Sequence, residues 1–336
     1  VRRRRIVAAV LGVVLLVVVA VVAWYEIEAN PSGPSGTAVV VHVARGEALD
    51  TVLDRLATAH VLSSSLAFRL DEVFHGTPSV APGGYLFHTN LTFGQIRQVM
   101  AAGPDVYPLV VPAGFTVAEL AERVGDLPGH GAQAFLATAN SGAVRSPFQP
   151  PGNTSLEGLL GTGTYDVSPG ETDADLLTAM VQRFSAQAAR AGLTPAAAAA
   201  LGLSEYQVVT AASVVQKEAY LDKNMGPVAR VVRNRVSRGI PLQMDSTVLY
   251  SLGQDGGTVT PADLKVDTPY NTYLHTGLPP TPICFPSPIA LAATLHAPPG
   301  DWLYFVVVDR SGTEAFADTY AQQQANERLA QSRGLP

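Results

Sequence analysis

Residues 204–220 read S-E-Y-Q-V-V-T-A-A-S-V-V-Q-K-E-A-Y, and the organisation of the second half of the chain turns on this stretch. Ser204 followed three residues later by Gln207 fits a capping box, in which each residue satisfies a backbone N–H at the start of a helix. The spacing therefore predicts a helix running to about Tyr220. At roughly 100° per residue, Val208, Val209, Ala212 and Val215 fall on one face. Glu218 lies inside that apolar arc, between Val215 and Val214, while Lys217 points away and is badly placed to pair with it. A carboxyl group on the apolar side is costly to ionise, so its pKa should rise and leave a proton available for general acid catalysis near neutral pH. The plainer reading is a helix-end glutamate that reaches solvent, and periodicity alone does not separate the two.

Downstream, a second helix is expected from Gly226-Pro227, with Val228, Val231, Val232 and Val236 as its buried stripe and Gly239 as its stop. Its arginines 230, 233, 235 and 238 read either as a solvated face or as holders of a substrate's carboxylates. Next come P-L-Q-M-D-S-T-V-L-Y at 241–250, Y-N-T-Y at 270–273 and G-L-P-P at 277–280. They set Gln243, Asp245, Thr247, Tyr250, Asn271 and Tyr273 close together. Such a mixture suits a sugar groove, where rings stack on aromatics and amides bond hydroxyls. Taken singly, these are ordinary loop residues.

Upstream, Asp173 to Ala191 and Pro195 to Leu201 favour helix, and the five alanines after Pro195 reflect propensity. Beyond Gly239 the chain turns to short apolar pieces, with Trp302 to Asp309 the clearest buried strand. A Pro/Gly-rich passage from Ser146 to Gly152 marks the expected domain boundary. Before it, Val39 to Val43 read as strand, Arg45-Gly46 as turn, and Leu49, Val52, Leu53 and Leu56 as a helical stripe. Tyr107 to Val111, Pro112-Ala113-Gly114, and Val117, Leu120 and Val124 repeat that grammar. Val43, Gly46 and Arg55 align with Val111, Gly114 and Arg123 at one offset, a weak β-turn-α repeat. Between the copies, Gly84 to Phe87 and Thr92 to Met100 predict a strand followed by a helix.

At the amino terminus, Ile6 to Tyr25 is an uncharged apolar run, about the ~20 residues a helix needs to cross a bilayer. Arg2 to Arg5 precede it and Glu26 and Glu28 follow. Basic flanks stay in the cytoplasm, so the globular part is expected outside. A cleaved secretory signal would have a shorter apolar centre and a small-x-small site close behind it. An uncleaved anchor fits better. N-P-S-G-P-S-G-T at 30–37 reads as a flexible spacer.

Composition narrows the function classes. An apolar fraction of 47% can supply real cores. The 28 acidic residues outnumber the 22 basic ones, and four of the latter belong to the anchor block, which argues against nucleic acid as a partner. Cys284 is the only cysteine, so no intrachain disulfide framework exists, and it reads as a small buried hydrophobe. The histidines are scattered without H-E-x-x-H, neither a nucleophile elbow nor a phosphate loop occurs, and Gly161-Thr162-Gly163 lacks the third glycine of a nucleotide fingerprint. No metal and no cofactor is expected.

A-S-V-V-Q-K-E at 212–218, Asn234-Arg235, L-Q-M-D-S-T-V-L-Y at 242–250, Y-N-T-Y at 270–273 and G-L-P-P at 277–280 resemble the signature blocks of the endolytic murein transglycosylase family, MltG/YceG-like. Leu156-Glu157-Gly158 with Thr164-Tyr165 resembles a further block. Order, spacing and anchor agree over nearly the whole chain. Three departures stand out: Gln216 where the family often has a second glutamate, Gly161-Thr162-Gly163 for a usual Phe-Pro-Asp, and Ser246 for a usual Pro. The first leaves Glu218 the only carboxylate in its segment.

The resemblance implies an α+β chain with a single N-terminal transmembrane helix (1–25), a linker (26–37), a small LysM-like β/α module (38–149) and a mixed α+β catalytic domain (150–336). It implies Glu218 as the catalytic acid/base, with Glu157, Gln243, Asp245, Thr247, Tyr250, Asn271 and Tyr273 around the substrate. The implied reaction cuts peptidoglycan between MurNAc and GlcNAc during wall growth, leaving 1,6-anhydroMurNAc. The implied partners are glycan strands, the plasma membrane, and glycan synthases with other wall-growth proteins. Two rivals remain at this point. One is a hydrolytic muramidase using Asp245 or Glu157 as second carboxylate; the other is a non-catalytic wall-binding scaffold.

Overall fold

A computed structural model describes residues 2–335, apart from the side chains of Arg2, Arg4, Arg5 and Ala8. Three of the four arginines on which the orientation of the anchor was read therefore have side chains outside the described part. The chain resolves into two compact units. One runs to Pro108 and takes in Tyr165–Pro169; the other comprises Leu109–Thr164 and the chain from Gly170 onward.

The first unit begins with α1 (Arg2–Ala29), of which Ala9–Ala29 is long and apolar enough to cross a membrane; it is exposed through Ala23, and its last turns, from Trp24 to Ala29, meet the core of the unit. After it come β1 (Ala38–Val43), α2 (Leu49–Thr58), α3 (Ser65–His75), β2 (Gly83–His88) and α4 (Phe93–Ala102). β1 and β2 pair antiparallel, with Val41 opposite Tyr85. Their inner faces join Val52, Leu53 and Leu56 of α2, Phe68 of α3 and Ile96 of α4 in one core. Helix α3 had no counterpart in the sequence reading. Ala67 and Phe68 are buried, while Leu66, Val73 and Phe74 are exposed.

Residues 30–37, read as a flexible spacer, are tied down. The Asn90 amide donates to the carbonyls of Ser32 and Pro34, and Gly36 N–H bonds Thr89 O.

The chain passes between units within β3 (Tyr107–Val111) and again within β4 (Gly163–Val167). In the second unit, α5 (Val117–Gly125) and α6 (Ala132–Ser141) precede β4, and α7 (Asp173–Arg190), α8 (Pro195–Ala200) and α9 (Glu205–Glu218) follow it. The capping box at the start of α9 forms as read, Ser204 and Gln207 each bonding the other's backbone. Val208, Val209, Ala212, Val214 and Val215 are fully buried, making α9 the central helix of the core. Around it lie α10 (Met225–Ser237), α11 (Asp245–Ser251) and α12 (Pro288–Leu295). The chain closes with β5 (Tyr304–Val307), β6 (Glu314–Ala317) and α13 (Tyr320–Ser332). β5, within the stretch read as a buried strand, pairs antiparallel with β6 and is half-buried.

Residues 109–149 group with the second unit, whereas the sequence reading set them with the first. Three hydrogen bonds hold them there: Gly114 N–H to Phe285 O and Phe285 N–H to Phe115 O between backbones, and Val117 N–H to the Glu157 carboxylate. The Pro/Gly-rich passage at 146–152 is accordingly an internal turn. Gln149 accepts from Ser146 N–H and donates to Ser155 O, so both ends of its side-chain amide are bonded within the chain. The β-turn-α repeat has a structural counterpart as well. Gly46 and Gly114 both take positive φ (75° and 87°), and Arg55 and Arg123 reach back to the carbonyls of His42 and Val110, equivalent strand positions.

Candidate active site

Glu218 is the last residue of α9, because Ala219 turns to an extended conformation (φ −75°, ψ 115°). Its half-buried side chain emerges where the core helix stops. Oε1 accepts 2.6 Å from Ser246 Oγ and 3.3 Å from Ser246 N. The serine sits in the first turn of α11, where its own N–H has no partner within the helix. Burial dominates, however, and pushes Glu218 up to about 7; the two Ser246 bonds oppose it, while the charges of Asp245 and Glu314 add to it. Lys217, which lines the same cavity as Glu218, pairs with Asp255 instead.

Two cavities of the second unit meet at this carboxylate. The larger, about 1000 Å³, is lined by Glu119, Glu157, Tyr250 and Tyr270. The smaller, about 400 Å³, is lined by Gln243, Tyr273, Tyr304 and Tyr320. Glu218 and Asp245 line both. The pair therefore stands where the two cavities adjoin, with aromatic side chains lining each.

Of the sequence-predicted residues, five join Glu218 in these cavities. Asp245 is exposed and accepts 2.6 Å from Tyr273 OH. Gln243, also exposed, takes a positive φ of 54° that is costly for a residue with a side chain. Arg235 supports that turn by donating to the carbonyls of Pro241, Leu242 and Leu303 and to Gln243 Oε1. Tyr250 packs against Tyr270 at 5.0 Å between ring centres. Glu157 is buried and accepts 3.3 Å bonds from Val117 N–H and Tyr250 OH. Burial, only partly offset by those bonds, pushes Glu157 up to about 7.

Thr247 and Asn271 line neither cavity. Thr247, fully buried, bonds Met244 O and Thr272 Oγ1. Asn271 donates to the carbonyls of Leu264 and Val266 and accepts from Tyr273 N–H. Both shape the loops that present Asp245 and Tyr273.

The arginines of α10 divide differently from either sequence reading. Arg235 is buried in backbone carbonyls, Arg230 donates to the carbonyls of Ala297 and Pro298, and Arg238 pairs with Asp301 at the surface. Arg235 lies seven residues after Val228, in register with the apolar stripe, and that spacing was the available signal. Gln216, standing where the resemblance suggests a second glutamate, accepts from Ser287 N–H. Ser246, noted only as a departure from the usual Pro, is the direct partner of Glu218, and Tyr270 was quoted only within its block. Among the described residues, no three His, Cys, Asp or Glu side chains gather as a metal-ligand set.

The YceG-like family model matches residues 41–329. The chain is 25% identical over 316 residues to an endolytic murein transglycosylase of Bacillus subtilis (strain 168), covering 89% of this chain and 87% of that one. It is 26% identical over 319 residues to the endolytic murein transglycosylase of Streptococcus pneumoniae R6, covering 86% of this chain but 57% of the relative. The chain thus spans a little over half the length of the pneumococcal protein. The crystal structure of a yceG-like protein from Listeria monocytogenes superposes with a TM-score of 0.62 at 25% identity, over 86% of this chain and 98% of that one. With sequence and fold matched over most of its length, the chain belongs to the YceG-like family.

Proposed function

We propose that this chain is an endolytic lytic transglycosylase that cleaves peptidoglycan between MurNAc and GlcNAc, with Glu218 as its acid/base. One observation carries the reading: the Glu218 carboxyl lines two adjoining cavities, of about 1000 Å³ and about 400 Å³, and burial raises it to about 7. The names of the relatives from Bacillus subtilis and Streptococcus pneumoniae support the same activity.

The step balances on one group. Protonated Glu218 gives its proton to the bridging oxygen as the bond from that oxygen to C1 of MurNAc breaks. The carboxylate then takes the proton of the same sugar's 6-hydroxyl while O6 closes on C1. Glu218 ends as it began and no water is consumed. Asp245, Gln243 and Tyr273 are suited to bond sugar hydroxyls in the smaller cavity, with Tyr250 and Tyr270 offering ring faces in the larger. Thr247 and Asn271 act through the loops they brace. Glu157 shares the larger cavity, yet a carboxyl also raised to about 7 is largely uncharged at mildly acidic pH, a poor nucleophile for a retaining muramidase.

The order β1-α2-α3-β2 supports the LysM-like reading of the first unit, a place for glycan to be held. With α1 as a single-pass anchor, its arginines inside, the catalytic unit faces the wall, where glycan synthases and other growth proteins would work beside it. Detergent-solubilised full-length protein incubated with purified peptidoglycan should release fragments ending in 1,6-anhydroMurNAc, one water lighter than hydrolytic ends by mass spectrometry. Reducing ends as the main product would convert the reading to a muramidase. Absence of cleavage with retained glycan binding would leave a scaffold.

A further inference from the structure

Helix α3 carries an apolar stripe that the core does not use. Leu66, Val73 and Phe74 are 66%, 76% and 71% exposed, and Leu70 between them is half-buried. Spaced i, i+4, i+7 and i+8, they form one continuous face. Three exposed apolar side chains in one patch on a small unit call for a partner.

The surroundings of α3 say which. Asp71 is buried on α3 and accepts 2.7 Å from Tyr25 OH, at the end of the apolar run of α1. Tyr25 also sets its ring edge-on to Phe93 at 6.2 Å, and Phe93 meets Phe68 of α3 at 5.1 Å. Trp24 and Tyr25 pack against the core of this unit and Ala29 is buried in it. Ser63 Oγ, just before α3, donates to Glu28 O. Helix α1 thus enters the unit as a fixed strut alongside α3.

At roughly 100° per residue, Phe68 points into the core, Asp71 points sideways to α1, and the Leu66-Leu70-Val73-Phe74 stripe points about opposite Phe68. Phe74 lies three residues from Asp71, less than one turn of helix. The stripe is therefore continuous with the level at which α1 leaves its apolar run, and Trp and Tyr at that level are the side chains that favour a membrane interface.

We propose that the Leu66, Leu70, Val73 and Phe74 face of α3 seats in the outer interface of the bilayer that α1 spans, so that the first unit lies on the membrane and does not swing freely from it. The occupant is lipid, as for other helices lying in the interfacial plane. The proposal rests on α1 being a membrane anchor.

Full-length protein with Cys284→Ala, reconstituted in phosphatidylethanolamine/phosphatidylglycerol vesicles, tests it through a cysteine-linked fluorophore at one of four positions. These are Phe74→Cys, Leu66→Cys, Val14→Cys within the span, and Gln331→Cys as an exposed reference. Labels at 74 and 66 should be quenched by lipid bearing a shallow nitroxide and be severalfold less accessible to iodide than the label at 331. If 14 is shielded from iodide but 66 and 74 are as accessible as 331, the anchor stands and the docked face is wrong. Shielding at 66 and 74 without nitroxide quenching means a protein surface covers the stripe, which also overturns the proposal. An iodide-accessible label at 14 removes the anchor and the proposal with it.

Discussion

Ser246 Oγ lies 2.6 Å from Glu218 Oε1, joining the first turn of α11 to the last residue of α9 across 28 residues of sequence. Two opposing influences set the carboxyl. Burial holds the proton on, and the serine's hydroxyl and backbone N–H favour its release. A group serving first as acid and then as base needs neither state to be inaccessible, and a pKa near the working pH meets that need.

Ser246→Ala should therefore move the pH profile and not merely lower the rate. Removing the hydroxyl weakens the ionised state, so the Glu218 pKa rises from about 7. The protonated form that starts the reaction then survives to higher pH. A hydrogen bond to a charged group is worth about 1.5–3 kcal/mol, so the alkaline limb of kcat/KM should move up by about one to two pH units. An unmoved limb with reduced activity would mean that Ser246 only packs the site.

Glu218→Gln should abolish most cleavage, by about 10²–10⁴-fold or more, while glycan binding persists. It should also reverse a stability cost. Because the carboxyl titrates near 7 in the fold against 4.5 for its ordinary value, the unfolded chain loses its proton first as pH rises. Wild type then loses stability between about 4.5 and 7 and regains none above. The amide cannot ionise. The Tm advantage of the variant should accordingly be small at pH 4.5, grow through pH 7 and level off. An equal Tm difference at pH 4.5 and pH 8 would separate the effect from ionisation.

How far the sequence reached follows from the range of each interaction. The capping box at Ser204 and the apolar placement of Glu218 depend on residues within one helix, and both were legible. The Ser246 contact depends on two helices meeting, which no local period encodes. Arg235 falls between these cases. Its spacing from Val228, Val231 and Val232 put it on the buried side, but its charge suggested solvent, and the three carbonyls that satisfy it come from 241–242 and 303. Helix α3 was legible in principle, since Ser64 caps it by accepting from Ala67 N–H and Ala67, Phe68 and Asp71 follow at helical spacing on its buried side. Ser146 to Gly152 read as a domain boundary because Pro and Gly mark turns whether or not a domain ends there.

Arg235→Lys should be far from conservative. An ammonium cannot span carbonyls from both 241–242 and 303 as the planar guanidinium does, and unsatisfied buried groups cost about 1–3 kcal/mol each. A loss of about 2–4 kcal/mol in denaturant unfolding is expected, together with reduced activity as the 241–243 turn loosens. If Arg235 instead bound substrate carboxylates, KM would rise with stability unchanged.

Glu157→Gln decides between one carboxylate and two. Glu157 lines the same cavity as Glu218 and accepts from Val117 N–H and Tyr250 OH. A glutamine can still offer Oε1 to Val117 and meet the Tyr250 hydroxyl with its amide group, so the wall of the cavity should survive. What disappears is any capacity to act as base or nucleophile. In a transglycosylase driven by Glu218, activity should fall by no more than about tenfold, well short of the 10²–10⁴-fold expected of general acid–base loss, and the products should still end in 1,6-anhydroMurNAc. In a muramidase pairing Glu218 with Glu157, the two glutamine variants should be about equally inactive, and wild type should yield reducing ends. Running both variants on the same peptidoglycan, with end groups identified by mass and Tm recorded at pH 5, where both carboxyls are mostly protonated, removes folding defects from the comparison. An inactive but normally folded Glu157→Gln variant would place Glu157 in the chemistry, and the anhydro or reducing nature of the wild-type ends would then say whether it serves the 6-hydroxyl or a water.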